Sequence, residues 1–146
     1  MPIKPLIEKA AKMQQPALAL TDTFNSYGAL EFSEAALKAG IQPIIGAQVM
    51  LKDEATDDAL GEVVLLVQNK EGWINLSLLM SRALLAGRHD PYIPVADLRA
   101  HASGLIILTG GAKRGFLAAP LVENRADLAN KRLATLMPIF PERLYI

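Results

Sequence analysis

The sequence predicts an α/β fold with a mostly parallel sheet, and three observations carry that prediction. Segments with helical spacing of apolar residues alternate with short runs of Val, Ile, Leu and Ala. Gly, Pro and Asn punctuate the boundaries between them. The chain has 146 residues, 51% hydrophobic and 21% charged, enough to bury one domain's core and too apolar for disorder. The order helix–strand–helix–strand–strand–helix–strand–helix suits a sheet covered by crossover helices.

Each element has its own local reason. Residues 3–14 place Ile3, Leu6, Ile7, Ala10 and Ala11 on one face, with lysines and Glu8 opposite. Pro16 ends that helix, 17–20 reads as a short buried strand, and the polar stretch 21–26 reads as a loop. Residues 28–39 form a second helix with Leu30, Phe32, Ala36 and Leu37 available for packing, and Gly40 at the C-terminal cap. Strands at 42–51 and 62–68 flank an acidic surface loop at 52–61, and the pair suits a hairpin. Turn residues 69–72 lead into a helix at 73–85, with Leu76, Leu79, Met80 and Leu84 in one stripe and Trp73 packed at its start. A loop at 87–94 carries His89, and 95–100 reads as a short helix. Residues 104–109 lack alternation and read as a strand buried on both faces, ended by Gly110 and Gly111. Helices follow at 116–122 and 126–137, and 143–146 begins a further strand, so the domain is expected to be incomplete at its C-terminus.

Composition excludes several functions. With 15 basic and 15 acidic residues there is no electrostatic footprint for nucleic acid. The absence of cysteine excludes disulfides, a thiol nucleophile and Cys-ligated metal. The longest apolar runs, such as 63–67, are too short to cross a bilayer, so no membrane partner is expected. No secretory signal opens the chain, and a cytoplasmic location is expected.

Few residues carry candidate chemistry. Asp22 follows a buried strand, where a carboxylate can bind metal or act in catalysis, or can instead order the loop and cap the next helix. Gly110, Gly111, Lys113 and Arg114 lie in a strand-to-helix turn whose amides and cations suit phosphate, although the spacing matches neither phosphate-loop fingerprint; a tight turn with solvated cations is the plainer reading. His89 and His101 read as exposed, and Asp53, Glu54, Asp57 and Asp58 lack calcium-loop spacing and read as a solvated loop. No serine has a nucleophile-elbow context.

Six gapped stretches carry a resemblance. They are Gln15–Asp22 with Asn25 and the Tyr27–Phe32 segment; Ala39–Val49; and Asn69-Lys-Glu-Gly72-Trp73-Ile-Asn75-Leu76, followed by Gly104–Gly111 and Phe140–Tyr145. In this order they resemble the polymerase and histidinol phosphatase (PHP) domain at the amino end of bacterial DNA polymerase III alpha subunits, across essentially the whole chain. The resemblance implies the first part of a distorted βα barrel, one partial domain over 1–146, incomplete at both ends. In metal-binding members a His follows the Thr-Asp pair and a Glu sits in the Ile-Gly strand; here those positions are Thr23 and Gln48, with Asp22 retained. A neutral hydroxyl and amide are poor ligands for a dication, so the resemblance implies a degenerate metal site and no catalytic residue in this chain.

It further implies a DNA-directed DNA polymerase parent with Mg2+ in its own polymerase domain. The expected partners are the rest of that chain and a proofreading exonuclease subunit, with DNA contacted through the parent. Alternatives are an error-prone alpha paralogue in damage tolerance, a stand-alone PHP phosphoesterase using the Gly110–Arg114 turn, and an unrelated α/β domain.

Overall fold

The computed structural model describes residues 2–54 and 59–146, and its elements follow the expected order. They are α1 (Ile3–Lys12), β1 (Ala17–Thr23), α2 (Ala29–Lys38), β2 (Gln42–Lys52), β3 (Leu60–Val67), α3 (Lys70–Leu85), β4 (Ile93–Pro94), α4 (Val95–Ala100), β5 (Leu105–Leu108), α5 (Ala118–Val122), α6 (Ala126–Leu136) and β6 (Leu144–Tyr145). One sheet runs β1-β2-β3-β5-β6, with β4 beside β2. Among the described residues three of its five pairings are parallel: β1–β2, β2–β4 and β5–β6. The antiparallel ones are the expected β2–β3 hairpin and β3–β5.

Alternation along the strands builds the core. Ala47, Val49 and Leu51 of β2, Val63 and Leu65 of β3, and Leu105 and Ile107 of β5 are buried with Leu76, Leu79, Met80 and Ala83 of α3, Leu98 of α4 and Leu136 of α6. A smaller cluster joins α1 and α2 through Ile7, Ala10, Phe32 and Ala36, with Leu18, Leu20 and Ile45 against it. The intervening strand positions, including Gln48, Met50, Glu62, Val64 and Leu108, point to the other side of the sheet.

Several expectations need correction. Residues 21–23 are strand, not loop, because their backbone pairs with Gly46–Gln48 of β2. Strand β5 is not buried on both faces: Leu105 and Ile107 face the core, whereas Ile106 and Leu108 are half-buried on the open side. Trp73 is 38% exposed and Leu84 51%, because Ala83 takes the core position on α3; Leu30 and Leu37 of α2 are also exposed. His101 is half-buried, not solvated: an Arg82 Nη1 hydrogen donates to its Nε2 at 2.9 Å. Asp53 is buried and accepts a hydrogen bond from Thr135 Oγ1 at 3.3 Å, so it is not part of a solvated loop. Lys52 and Leu60–Gly61 belong to strands, β4 lies within the 87–94 loop, and the 116–122 helix begins only at Ala118. Asp57 and Asp58 lie outside the described residues.

The Asn69–Leu76 segment proves to be a structural joint. Asn69 caps α3 by accepting from the Gly72 N–H at 3.0 Å. Asn75 Nδ2 donates to the Ser103 carbonyl at 2.9 Å, and Gln68 N–H donates to the Gly104 carbonyl at 2.9 Å. Leu76 is fully buried. Gly72 lets α3 lie directly on the Gly104 backbone, and a Cβ there would overlap the Gly104 carbonyl. In an unpacked helix Gly→Ala adds about 1 kcal/mol of stability. Here the overlap costs more, so Gly72→Ala is expected to lower stability by about 2 kcal/mol net, read as a lower urea midpoint. A raised midpoint contradicts the close approach.

Candidate functional site

The open side of the sheet becomes a site through register. Thr23 of β1 pairs with Gln48 of β2, Gln48 with Val64 of β3, and Met50 with Glu62. Paired residues share a face, so Thr23, Gln48, Met50 and Glu62 converge. Asp22, one residue earlier on β1, faces the opposite way. Its Oδ2 lies by Gly28 at the start of α2, 3.6 Å from the position a Gly28 Cβ would take. The structure therefore brings Thr23 and Gln48 together and leaves Asp22 on the helix side, by Gly28, where α2 has no side-chain cap hydrogen bond.

The turn after β5 closes the site from the far edge. Gly110 has φ +88° and lies against the Glu62 carbonyl. Glu62 N–H donates to the Arg114 carbonyl at 2.8 Å, and Phe116 N–H donates to the carbonyls of Glu62 at 2.9 Å and Thr109 at 3.0 Å. The Gly115 N–H donates to the Gly111 carbonyl at 2.8 Å, and Gly115 bridges Glu62 in parallel. The amides of Gly115 and Phe116 are thus committed inside the protein.

A cavity of about 270 Å³ results, lined by Thr23, Gln48, Met50, Glu62, Asp90 and Arg114 among others. A second, of about 320 Å³, shares the Glu62 wall and is lined by Val64, Leu108, Gly110, Gly111 and Tyr145. Lys113 is exposed. Sequence reasoning missed Glu62 and Asp90. Glu62 carried a signal, an acid at an alternate position of a Val/Leu strand; Asp90, in a polar loop, carried none.

For a divalent cation the donors lining the cavity are a hydroxyl, a neutral amide, a thioether and carboxylates, with Arg114 also in its wall. Hard and borderline dications take carboxylates and imidazoles, so this set fits them poorly. Among the described residues no three His, Asp or Glu side chains come together to hold a metal ion.

Behind the turn stands Arg132 of α6, 1% exposed. Its Nη1 donates to the Phe116 carbonyl and its Nη2 to the Ala59 carbonyl, both at 2.8 Å, and the guanidinium lies 4.5 Å from the centre of the Phe116 ring. Arg132 thus ties the turn and the entry to β3 to one helix.

The chain matches the PHP domain family over residues 1–146. It belongs to the PHP domain family. Its relatives include DNA polymerase III subunit alpha of Vibrio cholerae, 38% identical over 146 residues, which cover 99% of this chain and 12% of the relative. The subunit alpha of Pasteurella multocida is 36% identical and that of Escherichia coli K12 34%, each over 145 residues and again 12% of the relative. The chain thus spans about 12% of the length of these relatives. Among solved structures it resembles a protein of Bifidobacterium adolescentis provisionally titled a metal-dependent phosphoesterase, with a TM-score of 0.56 and 12% identity, covering 94% of this chain and 78% of that one. That likeness establishes the PHP-type α/β fold. No helix of the described residues is long and apolar enough to cross a membrane.

Arg132→Leu leaves two carbonyls without their donor and is expected to cost about 3 kcal/mol. Arg132→Lys recovers only part, because an ammonium cannot fork to both. Paired chemical denaturation curves measure this; a lysine variant as stable as the parent contradicts the bidentate role.

Proposed function

We propose that this chain is the PHP region of a DNA-directed DNA polymerase of the DNA polymerase III alpha type. In this reading it is a structural and partner-docking module whose metal site is degenerate. The supporting observation is a combination: near-complete coverage by alpha subunits, with Thr23 and Gln48 paired at the open end of the sheet. Nucleotidyl transfer, with its Mg2+-binding carboxylates, is assigned to polypeptide outside these 146 residues, and no residue here is given a catalytic role.

The partners proposed are the rest of the polymerase polypeptide and a proofreading exonuclease subunit, with DNA reached through the polymerase. Equal numbers of acidic and basic residues favour a protein partner over a nucleic-acid groove. Tyr27, Leu30 and Leu37 on and before α2 are 94%, 73% and 64% exposed and offer apolar contact area. A cytoplasmic location accompanies a replication role. An error-prone alpha paralogue would use the same residues in the same way. A stand-alone phosphoesterase is the second reading, favoured by the fold likeness and opposed by the donors at Thr23 and Gln48.

The test restores the ligands in the full-length polypeptide. Thr23→His with Gln48→Glu is expected to raise Zn2+ affinity at least tenfold and to bring metal-dependent hydrolysis of a phosphate monoester above background. Tight Zn2+ or Mn2+ binding at this site by the unsubstituted protein, with hydrolysis, contradicts the proposal.

A further inference from the structure

The loop between α3 and β4 is tied down by side chains rather than by its backbone. Among the described residues no backbone hydrogen bond joins Gly87–Pro91 to the rest of the chain. The far end is fixed, because Ile93 of β4 is buried and pairs with Leu51. Ile93 takes the core side, so Tyr92 before it falls on the open side. There it meets Lys52, which shares that face of β2 with Gln48 and Met50. Lys52 Nζ lies 5.2 Å from the centre of the Tyr92 ring, and the Arg88 guanidinium carbon 4.1 Å from it. The Tyr92 hydroxyl donates to Glu54 Oε1 at 3.2 Å. Arg88 and Tyr92 flank His89-Asp90-Pro91, so their contact draws that tip together. Asp90 and Pro91 form part of the wall of the 270 Å³ cavity, with Gln48 and Met50. At the near end stands Gly87, at φ +67°, where a Cβ would meet nothing within 4 Å. The loop therefore has a conformationally free glycine at one end and an anchored strand at the other.

We propose that Gly87–Tyr92 is a strap across the mouth of the pocket, held shut by the stacking of Arg88 and Lys52 on Tyr92. It swings away about Gly87 without disturbing the core. The inference concerns access to the pocket and goes beyond the function proposed above. Cation–π contacts at exposed sites are individually weak, so the open form is a minor state, and weakening the stack raises its population in proportion.

The experiment is the rate at which a water-soluble maleimide modifies Met50→Cys in the full-length polypeptide, located by peptide mass mapping; these 146 residues contain no cysteine of their own. Adding Tyr92→Leu is expected to raise that rate about tenfold, and adding Arg88→Gln about threefold. Arg88→Lys, which keeps a cation for the ring, is expected to change it less than about twofold. Ile106→Cys lies on the same face of the sheet but outside the wall of this cavity. Its rate is expected to stay the same when Tyr92→Leu is added.

No gain at Met50→Cys from Tyr92→Leu, an equal gain at Ile106→Cys, or an Arg88→Lys variant as reactive as Arg88→Gln overturns the proposal. So does a Met50→Cys thiol that reacts in no variant, because something other than the strap then closes the pocket. Failure of the degenerate-site reading looks different: the unsubstituted protein binds Zn2+ tightly, whatever the maleimide rates.

Discussion

The register of β2 against its two long neighbours is the constraint on which the rest of the structure depends. Strand β2 is 11 residues long and pairs with β1, β3 and β4. Its odd-numbered residues Ala47, Val49 and Leu51 are buried, and its even-numbered residues Gln48, Met50 and Lys52 are only half-buried. A slip of one residue would bury Gln48 and turn Val49 outward, exchanging the two faces along the whole strand. Because β1 and β3 are locked to the same register, Thr23 and Glu62 are carried to the open face with Gln48. The site is therefore a consequence of the core: the pairing that buries Val49 and Val63 also gathers the polar residues behind them.

The second wall comes from far along the chain and is held differently. The turn after β5 is anchored at its end by buried Phe116 and Leu117, and backbone hydrogen bonds hold it to β3. Glycine at 110 and 115 permits the contact with β3, and Arg132 supports it from behind. A buried guanidinium is costly unless its donors are satisfied; here two carbonyls take Nη1 and Nη2 and an aromatic face lies against the group, while the buried Nε has no hydrogen-bond acceptor among the described residues. The backbone of this turn braces β3 at Glu62.

Much of the fold was legible because local pattern and tertiary role agree. Asn69, Gly72 and Asn75 each do what their chemistry suggests, capping, yielding space and holding a carbonyl. The α/β alternation and the β2–β3 hairpin were visible as apolar runs broken by turn residues. The failures have specific causes. Ending β1 at Leu20 hid the alternation that sends Asp22 and Thr23 to opposite faces, because polar Thr21–Thr23 looks like loop until β2 is seen beside it. On α3 the stripe could run through Ala83 or Leu84, and packing chose the smaller residue. The meeting of Glu62 with Arg114 is a contact between distant segments that no local period encodes. Buried Arg132 left only a faint trace, a cation on the apolar face of α6 marked by Leu128, Ala129 and Leu136.

The central claim is that this PHP chain works as part of a much longer polymerase polypeptide rather than as a small enzyme. The size of the native protein in its source cell tests that most directly, read by immunoblot with an antibody raised against these residues. A band many times larger than the 15.8 kDa of this chain is the expected result. A band near the size of a single barrel domain would contradict the account and restore the phosphoesterase reading.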